Sequence, residues 1–329
     1  MLLAGDIGGT KTRLGLFKAA DDRPEALQAR EFATLSFQSL GDIIETFLKG
    51  ATVHPSDIEA ATFGVAGPVT NQVARLTNVP WPVDGPALGE RIGLARIELV
   101  NDLAAMAYAV PVLEPHELAV LQEGIATPEG NAALIAAGTG LGEALLHNVD
   151  GRFIPAPSEG GHADFAARTP REAELASELV RQFGRAAVEH VVSGPGLVNL
   201  YHFTHTAPCA AVGEPVKRSE MPSLITTAAL EQRCPACEEA LDLFVGAYGA
   251  ETGNLALRSV ATAGVYLGGG IAPKILTALE GGVFLEAFRA KEPMVDLLAT
   301  IPVCVILNRR AGLLGAAVHA RDLAAERAR

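Results

Sequence analysis

Gly5 to Thr12 reads GDIGGTKT, with three glycines, an aspartate and a lysine between two apolar runs. Such a stretch can cradle an anion, because glycine lets backbone N–H groups approach a ligand closely. Two common nucleotide loops are excluded. A G-x-x-x-x-G-K-[ST] loop needs its second glycine at position 10, which is Thr10, and it opens a helix where Arg13 to Phe17 reads as a strand. The G-x-G-x-x-G dinucleotide pattern is missing as well. What remains is a glycine hairpin offering the backbone of Gly5, Gly8 and Gly9 to an anion, with Thr10 and Lys11 adding donors and Asp6 placed to hold Mg2+ or its waters. The alternative is a tight hairpin that needs its glycines only for positive φ. A second loop, AAGTGLG (Ala136 to Gly142, with Gly138, Thr139 and Gly140 at its tip), would hold a polyphosphate from the other side. A third, LGGGIAPK, has no side chain at Gly268, Gly269 and Gly270 and suits a flat ligand group lying on backbone, or merely close loop packing. Among acid–base candidates, Asp102 follows a β-rich run and stands beside Asn101. It can be a general base, or the pair can cap the helix that follows. Glu159 and His162, separated by two glycines in SEGGHADF, lie in a polar loop, and no third or fourth ligand makes them a metal site. Glu189 precedes His190 and VVSGPG, and a lone glutamate there is commonly a solvated carboxylate.

These residues need a scaffold, and the pattern around them supplies one twice. Leu2–Gly5 and Arg13–Phe17 are short apolar strands joined by the first loop, and NAALIAAGTGLGEALLHNVDG (131–151) repeats the plan. RIELVNDLAAMAYAV (96–110) and VYLGGGIAPKIL (265–276) each read as strand, loop, helix. The repetition predicts a duplicated α/β domain with the loops gathered at a cleft. The breakpoint is expected near Pro111 to Pro115, and the C-terminal AGLLGAAVHARDLAAERAR as a helix packing back on the first domain.

Composition narrows the function classes. The 329 residues are enough for two domains. The net charge of −12, without a dense basic tract, argues against nucleic acid as a partner. No apolar run approaches the roughly 20 residues of a membrane helix, and the first apolar run, Leu2 to Ala4, is too short for a signal peptide. A cytoplasmic protein without a membrane partner is expected. Its four cysteines, Cys209, Cys234, Cys237 and Cys304, then read as reduced thiols. Cys234-Pro-Ala-Cys237 has the spacing of a zinc half-site, but no second CxxC or nearby His pair in the sequence completes it, and buried thiols at a helix start are the expectation.

Taken jointly, GDIGGTKTRLGLF, LVNDLAAMAYAV, AAGTGLG, SEGGHADF, EHVVSGPGLVNLYH, VYLGGGIAPKIL and AGLLGAA occur in an order and spacing that resembles the bacterial glucokinases, within the hexokinase and actin-like ATPase superfamily. The resemblance covers nearly the whole chain. It implies an α/β fold of duplicated actin-like ATPase (ribonuclease H-like) domains with an intervening cleft. The small domain would comprise residues 1–112 plus 310–329, the large one 113–309, and the protein would usually be a homodimer. The implied reaction is phosphorylation of glucose on its 6-hydroxyl by ATP with Mg2+. By the same resemblance Asp102 is the catalytic base, Asn101, Asp102, Glu159, His162 and Glu189 bind the sugar, and the three glycine loops bind ATP. A kinase for another hexose, or a non-catalytic sugar-responsive actin-like ATPase, would share the phosphate loops. A repressor of this fold would need a DNA-binding segment ahead of the first hairpin, where only four residues stand. Glu143, directly after GTGLG, departs from the small or apolar residue expected there and should point away from phosphates.

Overall fold

The N-terminal glycine stretch folds as a hairpin: β1 (Leu2–Ile7) runs antiparallel to β2 (Lys11–Lys18), with Asp6 paired to Arg13 across the ladder. The structure is a computed structural model describing residues 1–325 except 77, 78, 208, 214–216 and 218. Its contacts divide the chain into two units, Met1–Pro115 with Asn308–Arg329, and His116–Leu307.

In the first unit, β3 (Glu25–Ala33) continues the hairpin on the outside, and its exposed charged residues suit an edge strand. Helix α1 (Leu40–Ala51) starts at Ser39, whose side chain accepts from Asp42 N–H. Strand β4 (Ala60–Val65) pairs parallel with β1 and is buried at every position, as a strand covered on both faces must be. After a short ribbon of β5 (Val69–Thr70), β6 (Val73–Ala74) and β7 (Val83–Asp84), α2 (Gly85–Ile92) leads to β8 (Ile97–Asn101), which joins β4 in parallel. The sheet order is β3-β2-β1-β4-β8. Helix α3 (Asp102–Ala109) leaves directly from the end of β8.

The second unit opens with β9 (Leu118–Gln122) and then repeats this plan. β10 (Ala132–Ala137), β11 (Leu141–Val149) and β12 (Arg152–Ser158) form an antiparallel meander; β13 (Gly264–Gly268) pairs parallel with β10 and β14 (Val303–Ile306) parallel with β13. Its order is β12-β11-β10-β13-β14-β9. Apart from β9 at the edge, order and strand directions match those of the first sheet, so the duplication expected from the two glycine hairpins is present. Between β12 and β13 come α4 (Pro170–Phe183), α5 (Gly194–Thr204), α6 (Met221–Leu230) and α7 (Pro235–Ser259). Helix α7 is buried along most of its length and forms the axis of this unit's core with Phe244, Tyr248 and Phe284. Helices α8 (Leu276–Glu280), α9 (Val283–Arg289) and α10 (Val295–Thr300) complete it.

The C-terminal helix α11 (Ala311–Ala325) returns to the first unit and packs on α3, β1 and β4. Small residues permit this approach. A Cβ at Gly315 would stand 1.7 Å from the carbonyl oxygen of Ala105 on α3, so the two backbones touch there. Gly315→Ala is therefore expected to force the helices apart and cost about 3 kcal/mol, the upper end of ordinary overpacking. Urea unfolding checks this; an unchanged midpoint would show that the crossing yields freely.

Candidate active site

The turn of the first hairpin is held from behind. Gly8 N–H donates to the Lys11 carbonyl at 3.0 Å, Thr34 Oγ1 donates to the Gly8 carbonyl at 2.8 Å, and Thr34 N–H donates to the Thr10 carbonyl at 3.0 Å. Thr34 also meets Thr12 Oγ1 at 2.9 Å in the buried interior. With the Gly8 and Thr10 carbonyls occupied, the turn leaves the N–H groups of Gly9 and Thr10 without partners among the described residues, as an anion cradle requires. Among the described residues the positive-φ glycines do not include Gly8 or Gly9, so positive φ is not what these glycines supply. Gly5 lies inside β1 rather than in the turn, and a Cβ there would meet the Phe63 ring at 2.5 Å. Nothing in the sequence near the loop points to Thr34, which acts across 24 residues through tertiary folding.

Asp6 shares the guanidinium of Arg13 (3.2 Å), which also binds Glu31 (3.0 Å), while Lys11 is drawn to Glu31 at 2.6 Å. Burial raises the Asp6 carboxyl above the ordinary aspartate range, with Arg13 working against it. Its Oδ1 accepts nothing from the described residues and stays available to a hydrated cation.

At the end of β8 the roles of the Asn101-Asp102 pair separate. Asn101 is the helix cap: its Oδ1 accepts from the N–H groups of Leu103 (2.9 Å) and Ala104 (3.2 Å), and its Nδ2 donates to the Gly67 carbonyl at 3.2 Å. Asp102 is the first residue of α3; its Oδ1 accepts from Leu103 N–H at 2.9 Å, and its own N–H and the Asn101 side chain also favour the ionised carboxyl. Burial, with the charge of Asp6 adding to it, pushes its carboxyl up to about 6, against the lowering effect of hydrogen bonds from Leu103 N–H, its own N–H and the Asn101 side chain. This is a carboxylate more basic than usual that is still ionised at neutral pH.

In the second unit the hairpin Gly138–Gly140 closes through Gly138 N–H to the Gly140 carbonyl (2.8 Å), and the Gly138 carbonyl accepts from Gly194 N–H at the start of α5 (2.8 Å). The N–H groups of Thr139 and Gly140 are unpartnered among the described residues. Gly138 and Gly270 both face open space. Gly268 ends β13, and Gly269, at φ 83°, folds the third loop so closely that a Cβ would lie 2.4 Å from the Ala137 carbonyl. The second and third loops thus adjoin.

Glu159, His162 and Glu189 come together beside them. His162 stands between the carboxylates, with Nε2 3.8 Å from Glu159 and Nδ1 4.0 Å from Glu189. Glu189 is no freely solvated carboxylate: its Oε2 accepts from Leu141 N–H at 2.8 Å, binding it to the base of the phosphate hairpin. The two glycines between Glu159 and His162 have a packing reason. A Cβ on Gly161 would meet the Leu141 carbonyl at 2.1 Å, and one on Gly160 would meet Glu143 Oε2 at 2.1 Å. Glu143 accordingly lies under this loop. It is 1% exposed, its Oε1 has no hydrogen-bond partner among the described residues, and Arg258 lies 3.9 Å from Oε2. Burial first, then the charge of Glu251, push it up to about 7, with Arg258 opposing.

The Glucokinase family profile matches residues 3–323. Glucokinase of Nostoc punctiforme is 40% identical over 98% of this chain and 99% of its own length, and that of Synechocystis 38% over 97% of each. The chain belongs to the glucokinase family. Glucokinase from an Antarctic psychrotroph superposes with a TM-score of 0.87 at 29% identity, covering 98% of each chain. The fold is accordingly the actin-like ATPase fold of these sugar kinases. No described helix is long and apolar enough to cross a membrane.

Cys234 and Cys237 are free, buried thiols at the start of α7, as expected from the sequence, but the expectation that nothing completes the pair is corrected: His205 and Cys209 bring their ligand atoms to them, and all four ligand atoms lie within 4.8 Å of one another.

Proposed function

We propose that the protein transfers the γ-phosphoryl group of ATP to the 6-hydroxyl of glucose, giving glucose 6-phosphate and ADP, with Asp102 as general base. The observation that carries the assignment of the base is the Asp102 carboxyl at the end of β8, raised by burial to about 6 although Leu103 N–H donates to it. A base in this range is ionised at neutral pH and still draws a proton strongly. In this reading the Asp102 carboxylate accepts the proton of the 6-hydroxyl as the hydroxyl oxygen attacks phosphorus. Asn101 donates to the same sugar, and Glu159, His162 and Glu189 hold the other hydroxyls, a carboxylate being able to accept from two at once. The unpartnered N–H groups at Gly9, Thr10, Thr139 and Gly140 receive phosphate oxygens. Mg2+ would neutralise charge on the transferring phosphoryl group. Asp6 Oδ1, unused by Arg13, fits the holding of its waters, Mg2+ being a cation that keeps much of its hydration. A cytoplasmic homodimer belongs to the same reading, supported by family membership alone.

The pH dependence tests the base. Asp102 works only when ionised, so kcat/KM for glucose is expected to fall about tenfold per unit below about pH 6 and to level off above. A profile flat down to about pH 4.5, the range of an unperturbed carboxylate, would remove Asp102 from the role.

A further inference from the structure

We propose that His205, Cys209, Cys234 and Cys237 form a closed structural zinc site that joins the C-terminal end of α5 to the start of α7. The four ligand atoms already outline the polyhedron. His205 Nε2 is 3.3 Å from Cys234 Sγ and 3.7 Å from Cys237 Sγ, and Cys209 Sγ is 3.9 Å from Cys237 Sγ. Zinc bonds of about 2.3 Å to sulfur and about 2.05 Å to nitrogen, at tetrahedral angles, give edges of about 3.8 Å between sulfurs and about 3.6 Å between nitrogen and sulfur. The two nitrogen–sulfur separations lie on either side of the expected edge, the sulfur–sulfur separation of 3.9 Å is close to its own, and all four atoms lie within 4.8 Å of one another. The ligand set, one imidazole and three thiols, belongs to a recognised class of structural zinc centre, with no position left for substrate.

The surroundings aim each ligand inward. His205 Nδ1 lies 2.9 Å from the Tyr201 carbonyl, which can only accept, so the proton sits on Nδ1 and the Nε2 lone pair is free for a metal. The imidazole stacks on the Tyr201 ring at 3.9 Å, and the hydroxyl of that tyrosine accepts from Cys209 N–H at 3.0 Å, so one aromatic residue orients two ligands. Thr204 Oγ1 donates to the Ala236 carbonyl at 2.8 Å, tying the two helix ends together. Cys234 stands at the N-cap position of α7 without making a capping bond through its side chain, Pro235 opens the helix, and Cys237 N–H donates to the Cys234 carbonyl at 3.0 Å. That turn puts both sulfurs on one side. Cys234 and Cys237 are buried and the other two ligands half-buried.

Two other readings account for less. A Cys209–Cys237 disulfide would need its sulfurs to close from 3.9 Å and would leave Cys234 and His205 facing it without purpose. Three thiols and an imidazole packed only as core residues would exchange weak hydrogen bonds, and would not require the fixed His205 tautomer. Binding exchanges thiol protons, released to solvent, for zinc–sulfur bonds, and no electron is transferred. The clamp would stabilise α5, whose first N–H holds the Gly138 carbonyl of the phosphate hairpin.

The test is the metal content of the full-length protein, purified without chelators, together with the absorption spectrum after exchange into Co2+. About one zinc per chain is expected, with the visible bands of tetrahedral cobalt and a thiolate charge-transfer band. His205→Ala and Cys209→Ser should reduce the bound metal to below about a tenth, while Cys304→Ser, outside the cluster on β14, keeps it. Should a ligand variant fail to fold, the cobalt spectrum of the wild type decides alone. Reduced wild-type protein that binds neither zinc nor Co2+, a native Cys209–Cys237 disulfide in the mass spectrum, or a loss of metal in Cys304→Ser as large as in the ligand variants would overturn the proposal. None of these readouts depends on kinase activity, so the zinc site and the proposed reaction stand or fall separately.

Discussion

Asp102→Asn is expected to lower kcat for glucose phosphorylation by about a thousandfold, within the range for loss of a general base, while changing KM for glucose little. The substitution is close to isosteric. Its amide oxygen can still accept the Leu103 N–H that Asp102 Oδ1 takes at 2.9 Å, and the cap of α3 belongs to Asn101, so the helix start survives. What disappears is the ability to take a proton. Steady-state kinetics at saturating ATP, with circular dichroism to verify folding, measure the effect. A folded variant with wild-type kcat would mean that Asp102 serves only the first turn of α3. The variant should also lose the acid limb near about pH 6, because the group that produces it is gone.

Glu143→Gln should stabilise the protein in alkaline solution. The folded state raises the Glu143 carboxyl from 4.5 to about 7, so it favours the protonated form. For such a group the stabilising contribution is complete below the unfolded value and is lost as pH rises through the folded one. Between about pH 4.5 and about pH 7 the wild type is therefore expected to lose up to about 3 kcal/mol on account of this residue alone. Glutamine is neutral throughout, and its amide can donate to Glu251 as the protonated acid would. At about pH 8 the variant should unfold at a higher denaturant concentration than the wild type, and near pH 4.5 the two should nearly coincide. Equal stability of the two at about pH 8 would show that Glu143 carries its charge there without penalty, through Arg258 or entering water.

These two residues also show where the sequence is informative. Asp102 could be singled out because its neighbours fix its placement locally: a β-rich run before it and a helical pattern after it put it at a strand end, whatever the rest of the chain does. The same locality made the glycine hairpins readable, since turn and flanking strands lie within 17 residues in β1–β2. Even there, which of Asn101 and Asp102 caps α3 depends on side-chain rotamers that no spacing encodes. Glu143 could be noticed as out of place but not located, because its burial under Gly160 follows from how the loop after β12 folds back on β11. Thr34 gave no signal at all, being an ordinary polar residue that becomes the rear support of a loop through tertiary packing. The cysteines mark the limit most clearly. CxxC was legible as half a site, but His205 and Cys209 are 25 or more residues away in sequence and reach it only because α5 and α7 pack together.

The most direct measurement of the central claim is a coupled assay in which purified protein, glucose and Mg-ATP are followed through oxidation of glucose 6-phosphate by its dehydrogenase. The account predicts turnover that needs both substrates, with one ADP formed per glucose 6-phosphate. ADP formed without glucose 6-phosphate, or no turnover by folded protein, would contradict it.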